Sequence, residues 1–263
     1  MAKGLFDLTG KVVLATGANA GIGLGFLKGC AKQGADVVVW SRRVENNARA
    51  VEELKALGAP RAHAEAVDVS DEAAVEAAFA SSLAAMGRVD CVFANAGYSD
   101  RTSSFPDMTT KQYMDMINVS LHGAFFTLRA AAKHMRERAQ AGDPGGSLVA
   151  CGSLSLFQGR QGNEHYAAAK GAISAMMKGL AVEMGQYGVR ANILAPGFIM
   201  TEMTSNTPQS EGLVKHFSAI TPIGRPGYMY DIEGPAAYLA SDASSFHTGD
   251  ILVVDGGRKV NSV

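Results

Sequence analysis

Short runs of β-branched and apolar residues alternate with longer stretches of helical periodicity along nearly the whole chain, and that alternation leaves few folds open. Residues 11–16, 36–40, 89–94, 147–151, 190–195 and 251–254 read as strands, with a weaker one at 62–67. Between them, 21–33, 45–58, 71–86, 110–138, 165–186 and 231–241 carry apolar residues three and four apart, as Ile22, Phe26 and Cys30 do, which is the spacing of one helix face. The strands are apolar throughout instead of alternating, which suits strands covered on both faces. Strand–helix–strand units with right-handed crossovers build a parallel sheet between two helical layers. The expectation is a doubly wound, Rossmann-like α/β fold: one domain over 1–263, with a seven-stranded parallel sheet. Ser70 is the expected cap of the third helix, and 136–146 reads as a polar loop. Residues 198–230, rich in Thr, Pro, Gly and Met, read as a structureless lid or binding loop.

The first strand runs into Thr16-Gly17-Ala18-Asn19-Ala20-Gly21-Ile22-Gly23. Glycines there let the backbone turn sharply and approach a ligand closely, and the following helix aims its unpaired N–H groups and positive dipole end at that ligand. Between a strand and a helix, such a turn suits the pyrophosphate of a dinucleotide, with Gly17, Asn19, Gly21, Ile22 and Gly23 as its residues. The end of the second strand is where an acid would hold the ribose 2′-hydroxyl of NAD. Here it reads Trp40-Ser41-Arg42-Arg43. A 2′-phosphate would meet the Ser41 hydroxyl and the forked donors of Arg42 and Arg43, so NADP(H) is favoured and NAD(H) remains possible. The two arginines could also be a solvated turn. Asp68 and Val69, at the end of the third strand, are candidates for the adenine, although Asp68 could instead cap the next helix.

Tyr166 and Lys170 lie four apart in a helical stretch, and so on one helix face. An ammonium beside a phenol favours the phenolate and makes tyrosine usable as a general acid/base. Ser153 precedes Tyr166 by thirteen residues and follows the fifth strand, where a hydroxyl faces the crevice in which such sheets bind ligands. Ser155 is its rival. Asn118 is a polar amide in an apolar helical stretch and needs a partner if buried. His165 adjoins Tyr166, but neighbouring helical positions point to different faces, which argues against a second acid/base.

Gly17-x-x-x-Gly21-Ile22-Gly23, Asn95-Ala96-Gly97, Asn118, Ser153, Tyr166-x-x-x-Lys170 and Pro196-Gly197 occur in the order and spacing of one family. From Gly10 to Gly257 the chain resembles the short-chain dehydrogenase/reductases, in their single-domain branch, similar to carbonyl and ketoacyl reductases and to sugar or alcohol dehydrogenases. The resemblance implies hydride transfer between a nicotinamide cofactor and a ketone or secondary alcohol. Tyr166 would exchange the proton and Ser153 would hydrogen-bond the reacting oxygen. Lys170 would stabilise the Tyr166 phenolate and bind the nicotinamide ribose, and Asn118 would hold a water in a proton relay. Asn95, Ala96 and Gly97 would close the fourth strand beside the cofactor. After Pro196 and Gly197, the Ile199 backbone and the Thr201 hydroxyl would grip the carboxamide. The basic residue that many NADP-preferring relatives carry before the second motif glycine is absent: Ala20 stands there. The resemblance also implies that the helix from Tyr166 and the long one before it form a subunit interface, giving a homotetramer, with a dimer second.

The substrate pocket would be walled by Ser155, Gln158, Asn163, Phe198 and Met203. The apolar residues of 198–230 favour an apolar ketone or alcohol over a sugar. A non-catalytic cofactor-binding protein would show degraded catalytic positions, and all four are present. An NAD-dependent catabolic alcohol or sugar dehydrogenase stays as the alternative. Composition narrows the remaining classes. A formal charge of −1 argues against nucleic acid as a partner. No apolar run reaches the length of a membrane span, and 1–11 lacks the pattern of a secretory signal. Three scattered cysteines predict neither a disulfide scaffold nor a metal site, so a cytoplasmic enzyme without metal is expected.

Overall fold

The computed structural model describes residues 4–201 and 208–261. Seven strands, β1 (Val12–Thr16), β2 (Asp36–Ser41), β3 (Ala62–Ala66), β4 (Cys91–Ala94), β5 (Gly146–Cys151), β6 (Val189–Pro196) and β7 (Ile251–Val254), form one parallel sheet in the order β3-β2-β1-β4-β5-β6-β7. The chain winds outward from β1 to β3, then returns to start β4 beside β1. The carboxyl ends of β1 and β4 therefore flank the switch point, where open parallel sheets bind ligands.

The apolar strands serve two cores. Val12, Leu14, Val38, Trp40, Val92 and Leu148 face helices α3 (Glu72–Met86), α5 (Gly123–Gln140) and α6 (Glu164–Met184). Their neighbours Val13, Ala15, Val37, Val39 and Phe93 face α1 (Gly21–Ala31), α2 (Val44–Ala56) and α8 (Met229–Ala240). Alternate residues of each strand thus enter opposite layers, each large side chain contributing about 1.5–3 kcal/mol on burial. At the end of the sheet away from the switch point, the buried Asp90 carboxylate accepts the Val12 N–H at 3.0 Å and pairs with Arg88 (2.7 Å) and Arg138 (3.1 Å). α1 crosses α8 at Gly29, where a Cβ would stand 2.7 Å from the Glu233 carbonyl carbon. Among the described residues no helix is long and apolar enough to cross a membrane.

Four expectations need correction. The helix expected over 110–138 is broken: α4 (Thr110–Ile117) passes into a π-turn, Asn118–His122, before α5, and the Gly123 N–H reaches back five residues to the Asn118 carbonyl. α5 also runs on to Gln140, into the expected polar loop. The stretch 198–230 contains a helix, α7 (Ser210–Ile220). Leu213, Phe217 and Ile220 have helical spacing, and Phe217 is buried. Finally, Asp71 and not Ser70 caps α3, its carboxylate accepting the Ala73 and Ala74 N–H groups at 2.9 and 3.2 Å. A carboxylate also complements the helix dipole.

Candidate active site

The turn after β1 is held open by its neighbours. Gly17 and Gly21 have φ of +61° and +57°, conformations that a side chain disfavours. Thr16 Oγ1 accepts the Asn95 and Ala96 N–H groups at 3.0 and 2.8 Å, and Asn95 Nδ2 donates to the Thr16 carbonyl at 2.9 Å. These bonds lock the end of β1 to the end of β4. A Cβ on Gly23 would lie 2.5 Å from Asn95 Nδ2 and 2.7 Å from the Gly17 carbonyl, so only glycine lets α1 begin this close to the turn. Ile22 packs against the core beneath. No side chain caps α1, whose N-cap Ala20 is extended. Glycine-lined backbone and an uncapped helix start fit a pyrophosphate.

Asn19 turns away from that mouth. It is buried, and its Nδ2 donates to Asn47 Oδ1 at 2.9 Å and to the Arg43 carbonyl at 3.3 Å. Asn47 in turn donates to the Ser41 and Glu65 carbonyls at 3.0 and 3.1 Å. This amide pair fixes the end of β2 against the glycine turn. Sequence reasoning missed Asn47, and its only signal was an amide on the α2 face that carries Ala50 and Leu54. Ser41 is half-buried, and Arg42 and Arg43 are exposed beside it. Asp68 accepts the Ser70 N–H and hydroxyl at 3.0 and 2.7 Å. Those bonds, with Arg42 nearby, hold its carboxyl below the usual range. Val69 is buried against the position of Gly123.

Ser153 lies two residues beyond β5, and Tyr166 and Lys170 share a face of α6. Lys170 is 4% exposed, its Nζ 2.7 Å from the Cys151 carbonyl and 5.6 Å from the centre of the Tyr166 ring. An ammonium buried this deeply beside a phenol interacts with it through a low local dielectric. The Ser153 and Ser155 hydroxyls are 3.2 Å apart, and Asn163 Nδ2 donates to Ser155 Oγ at 3.2 Å. The two rival serines are therefore one hydrogen-bonded unit. Asn163 Oδ1 is buried without a partner. His165 is buried as well, while Tyr166 is partly exposed to the crevice, so the two do point apart. Asn118 opens the π-turn, a device found often at functional sites.

Past β6, Gly197 lies so close to Asp255 that a Cβ would meet its Cα at 2.8 Å. Ile199 bridges to Gly227. The Thr201 methyl comes within 3.7 Å of where a Gly21 Cβ would stand, so the end of β6 arches over the glycine turn. Phe198 stacks on Phe217 of α7 at 3.6 Å and 5°. Gln158 Nε2 reaches the Arg258 carbonyl at 3.5 Å. Met203 lies outside the described residues.

The sequence matches the family described as enoyl-(acyl carrier protein) reductase over residues 17–259. L-Rhamnose 1-dehydrogenase (NAD(P)(+)) of Sphingomonas sp. (strain SKA58) is 36% identical, with 97% of this chain and 98% of that protein covered. Gluconate 5-dehydrogenase of Gluconobacter oxydans (strain 621H) is also 36% identical, with 98% of each covered. A solved gluconate 5-dehydrogenase from Burkholderia cenocepacia J2315, in complex with NADP and tartrate, superposes with a TM-score of 0.88 at 31% identity over 99% of both chains. The chain belongs to the short-chain dehydrogenase/reductase family. As a member it is an NAD(P)-dependent oxidoreductase acting between CH–OH and C=O. The resemblance that Tyr166-x-x-x-Lys170 and the glycine turn suggested is thereby shown for the whole chain.

Proposed function

We propose that this short-chain dehydrogenase/reductase passes hydride between NADP(H) and a secondary alcohol or ketone of a sugar-like substrate, with Tyr166 as general acid/base. The observation that carries the reading is the buried Lys170 ammonium 5.6 Å from the Tyr166 ring, at the carboxyl end of β5 beside Ser153. A nicotinamide held between the glycine turn and Thr201 would supply or accept the hydride. In reduction, the Tyr166 hydroxyl gives its proton to the carbonyl oxygen as the alkoxide forms. The Ser153 hydroxyl donates a hydrogen bond to the same oxygen and stabilises its charge. Lys170 stabilises the phenolate left behind, and Asn118 holds the water through which the proton is replaced. Oxidation reverses these steps.

Ser41, Arg42 and Arg43, with no carboxylate at the end of β2, support NADP(H). NAD(H) is the alternative, and the absence of a basic residue at Ala20 leaves the preference to this one loop. The names of the rhamnose and gluconate relatives favour a polyol over the apolar ketone that the lid residues suggested. Three free, buried cysteines support a reducing compartment such as the cytoplasm.

The test is a titration of the protein with NADPH and NADH, followed by nicotinamide fluorescence and quenching of Trp40, the single tryptophan, then turnover of a polyol panel with the tighter cofactor. NADPH is expected to bind more tightly, and Arg42→Gln is expected to narrow the gap. Tyr166→Phe is expected to bind cofactor normally and lose at least roughly a hundredfold in kcat, the scale of general acid–base catalysis. Turnover near normal in Tyr166→Phe overturns the mechanism, and tighter binding of NADH overturns the cofactor assignment.

A further inference from the structure

Two loops at the carboxyl end of the sheet bring three cations together. Arg160 lies between β5 and α6, and Arg258 and Lys259 follow β7. The loops are joined by the Gln158–Arg258 hydrogen bond and by Lys259 Nζ, 3.8 Å from the centre of the Phe157 ring. The Arg258 guanidinium sits 5.0 Å above Phe217, the ring that stacks on Phe198. None of the three cations is paired with a carboxylate among the described residues. Two acids stand beside them and both are engaged by backbone: the Asp255 oxygens accept the Gly257 and Lys259 N–H groups at 2.8 and 2.6 Å, and Glu164 Oε1 accepts the Gly162 N–H at 3.1 Å. Burial, and then repulsion from Arg160, hold the Arg258 pKa below its usual value, and Asp255 opposes this without cancelling it. On the other side of the loop, Arg101 Nη2 donates to the Gln161 carbonyl at 3.3 Å. This positive excess is local, since the chain as a whole carries −1.

A neutral sugar leaves these guanidiniums unmatched. A carboxylate accepts their forked donors and offsets the cost of desolvating Arg258. Next to them the buried Asn163 Oδ1 has no partner. That oxygen is closed off from solvent, but the half-buried Ser155 hydroxyl, which Asn163 Nδ2 holds at 3.2 Å, can bond a substrate hydroxyl. We infer that the pocket takes an anionic, polyhydroxylated substrate. Its carboxylate lies between Arg258 and Arg160, and its hydroxyls face the linked Ser153 and Ser155 pair. The inference rests on the proposed sugar-like substrate for the reaction, but its anion site can be tested without turnover.

The experiment compares five- and six-carbon aldonates, D-gluconate among them, with the alditols that carry CH2OH in place of the carboxylate. Thermal protection of the NADP⁺-loaded protein reads binding, and the ratio of kcat/KM for aldonate over alditol reads specificity. Aldonates are expected to protect, less so at high salt, and to be the better substrates. Arg258→Met, with Arg160→Gln as an exposed second site, is expected to lower the aldonate-to-alditol ratio roughly tenfold to a hundredfold, the worth of a charge-assisted hydrogen bond. Protection by alditols equal to that by aldonates, or a ratio unmoved in Arg160→Gln and in folded Arg258→Met, overturns the anion site. Salt-sensitive aldonate binding without cofactor-dependent turnover of any polyol supports the anion site and overturns the proposed Tyr166 reaction on a sugar-like alcohol instead.

Discussion

His134 shows how far a single side chain in this fold is committed to one charge state. Its Nε2 accepts the Val89 N–H at 3.2 Å just before β4, and its ring stands edge-on to Phe79 at 5.9 Å. Partial burial, helped by Arg138, lowers its pKa below the ordinary 6.5. An acceptor nitrogen cannot carry a proton and keep that bond. As pH falls below about 6.5 the unfolded chain therefore takes up a proton that the folded chain resists. This contribution to stability is present above the unfolded value and is lost on acidification towards the lower folded one. Urea unfolding at pH 7.5 and 5.5 is expected to show a weaker protein at 5.5, and His134→Gln, which keeps an acceptor, to lose less over the same interval. Residue-scale roles divided by chemistry in how readable they were. The placement of Tyr166, Lys170 and Ser153, though not what they do, was legible because their spacing is tied to one helix and one strand end. Asn47 was not, because its role depends on Asn19, 28 residues away, and no local pattern encodes that pairing.

At the scale of elements, the close crossing of α1 and α8 is the most exacting contact. A methyl on Gly29 would overlap the Glu233 backbone, and neither helix can retreat without opening the core around Phe26 and Ile232. Gly29→Ala is expected to destabilise by about 3 kcal/mol. Gly212→Ala in α7, where nothing lies within 4 Å of the added methyl, is expected to stabilise by about 0.5–1 kcal/mol, as alanine does over glycine inside a helix. Equilibrium urea midpoints distinguish the two. The strands and most helices were readable because burial on both faces imposes continuous apolar runs. α7 was hidden because its apolar residues resemble those of a lid, and the π-turn at Asn118 because one extra residue in a turn leaves no compositional trace.

On the scale of the whole molecule, the described residues include two apolar surfaces that face solvent. α5 and α6 present Phe125, Arg129, Met176 and Leu180 around a groove. At the far edge, β7 exposes parts of four apolar residues without a charge, and Phe246 nearby is fully exposed. The opposite edge, β3, carries His63 and Glu65, which pair at 2.7 Å, and charged edges discourage pairing with other sheets. Two distinct self-complementary faces are what a tetramer of dihedral symmetry requires, whereas a dimer needs one. Sedimentation velocity is expected to find a species near four times the 27.5 kDa chain mass; a monomer at micromolar concentration would overturn the homotetramer.

The α1–α8 crossing also has a consequence for biosynthesis. α1 begins at Gly21, yet the helix that covers it ends at Ala240. A ribosome has made most of the polypeptide before that cover emerges. Until then the nascent chain carries a greasy flank beside its glycine turn, and a product cut short before Met229 can never hide it. Such fragments are natural clients for chaperones and proteases, so α1 is sheltered only once α8, about two hundred residues later in sequence, has been made.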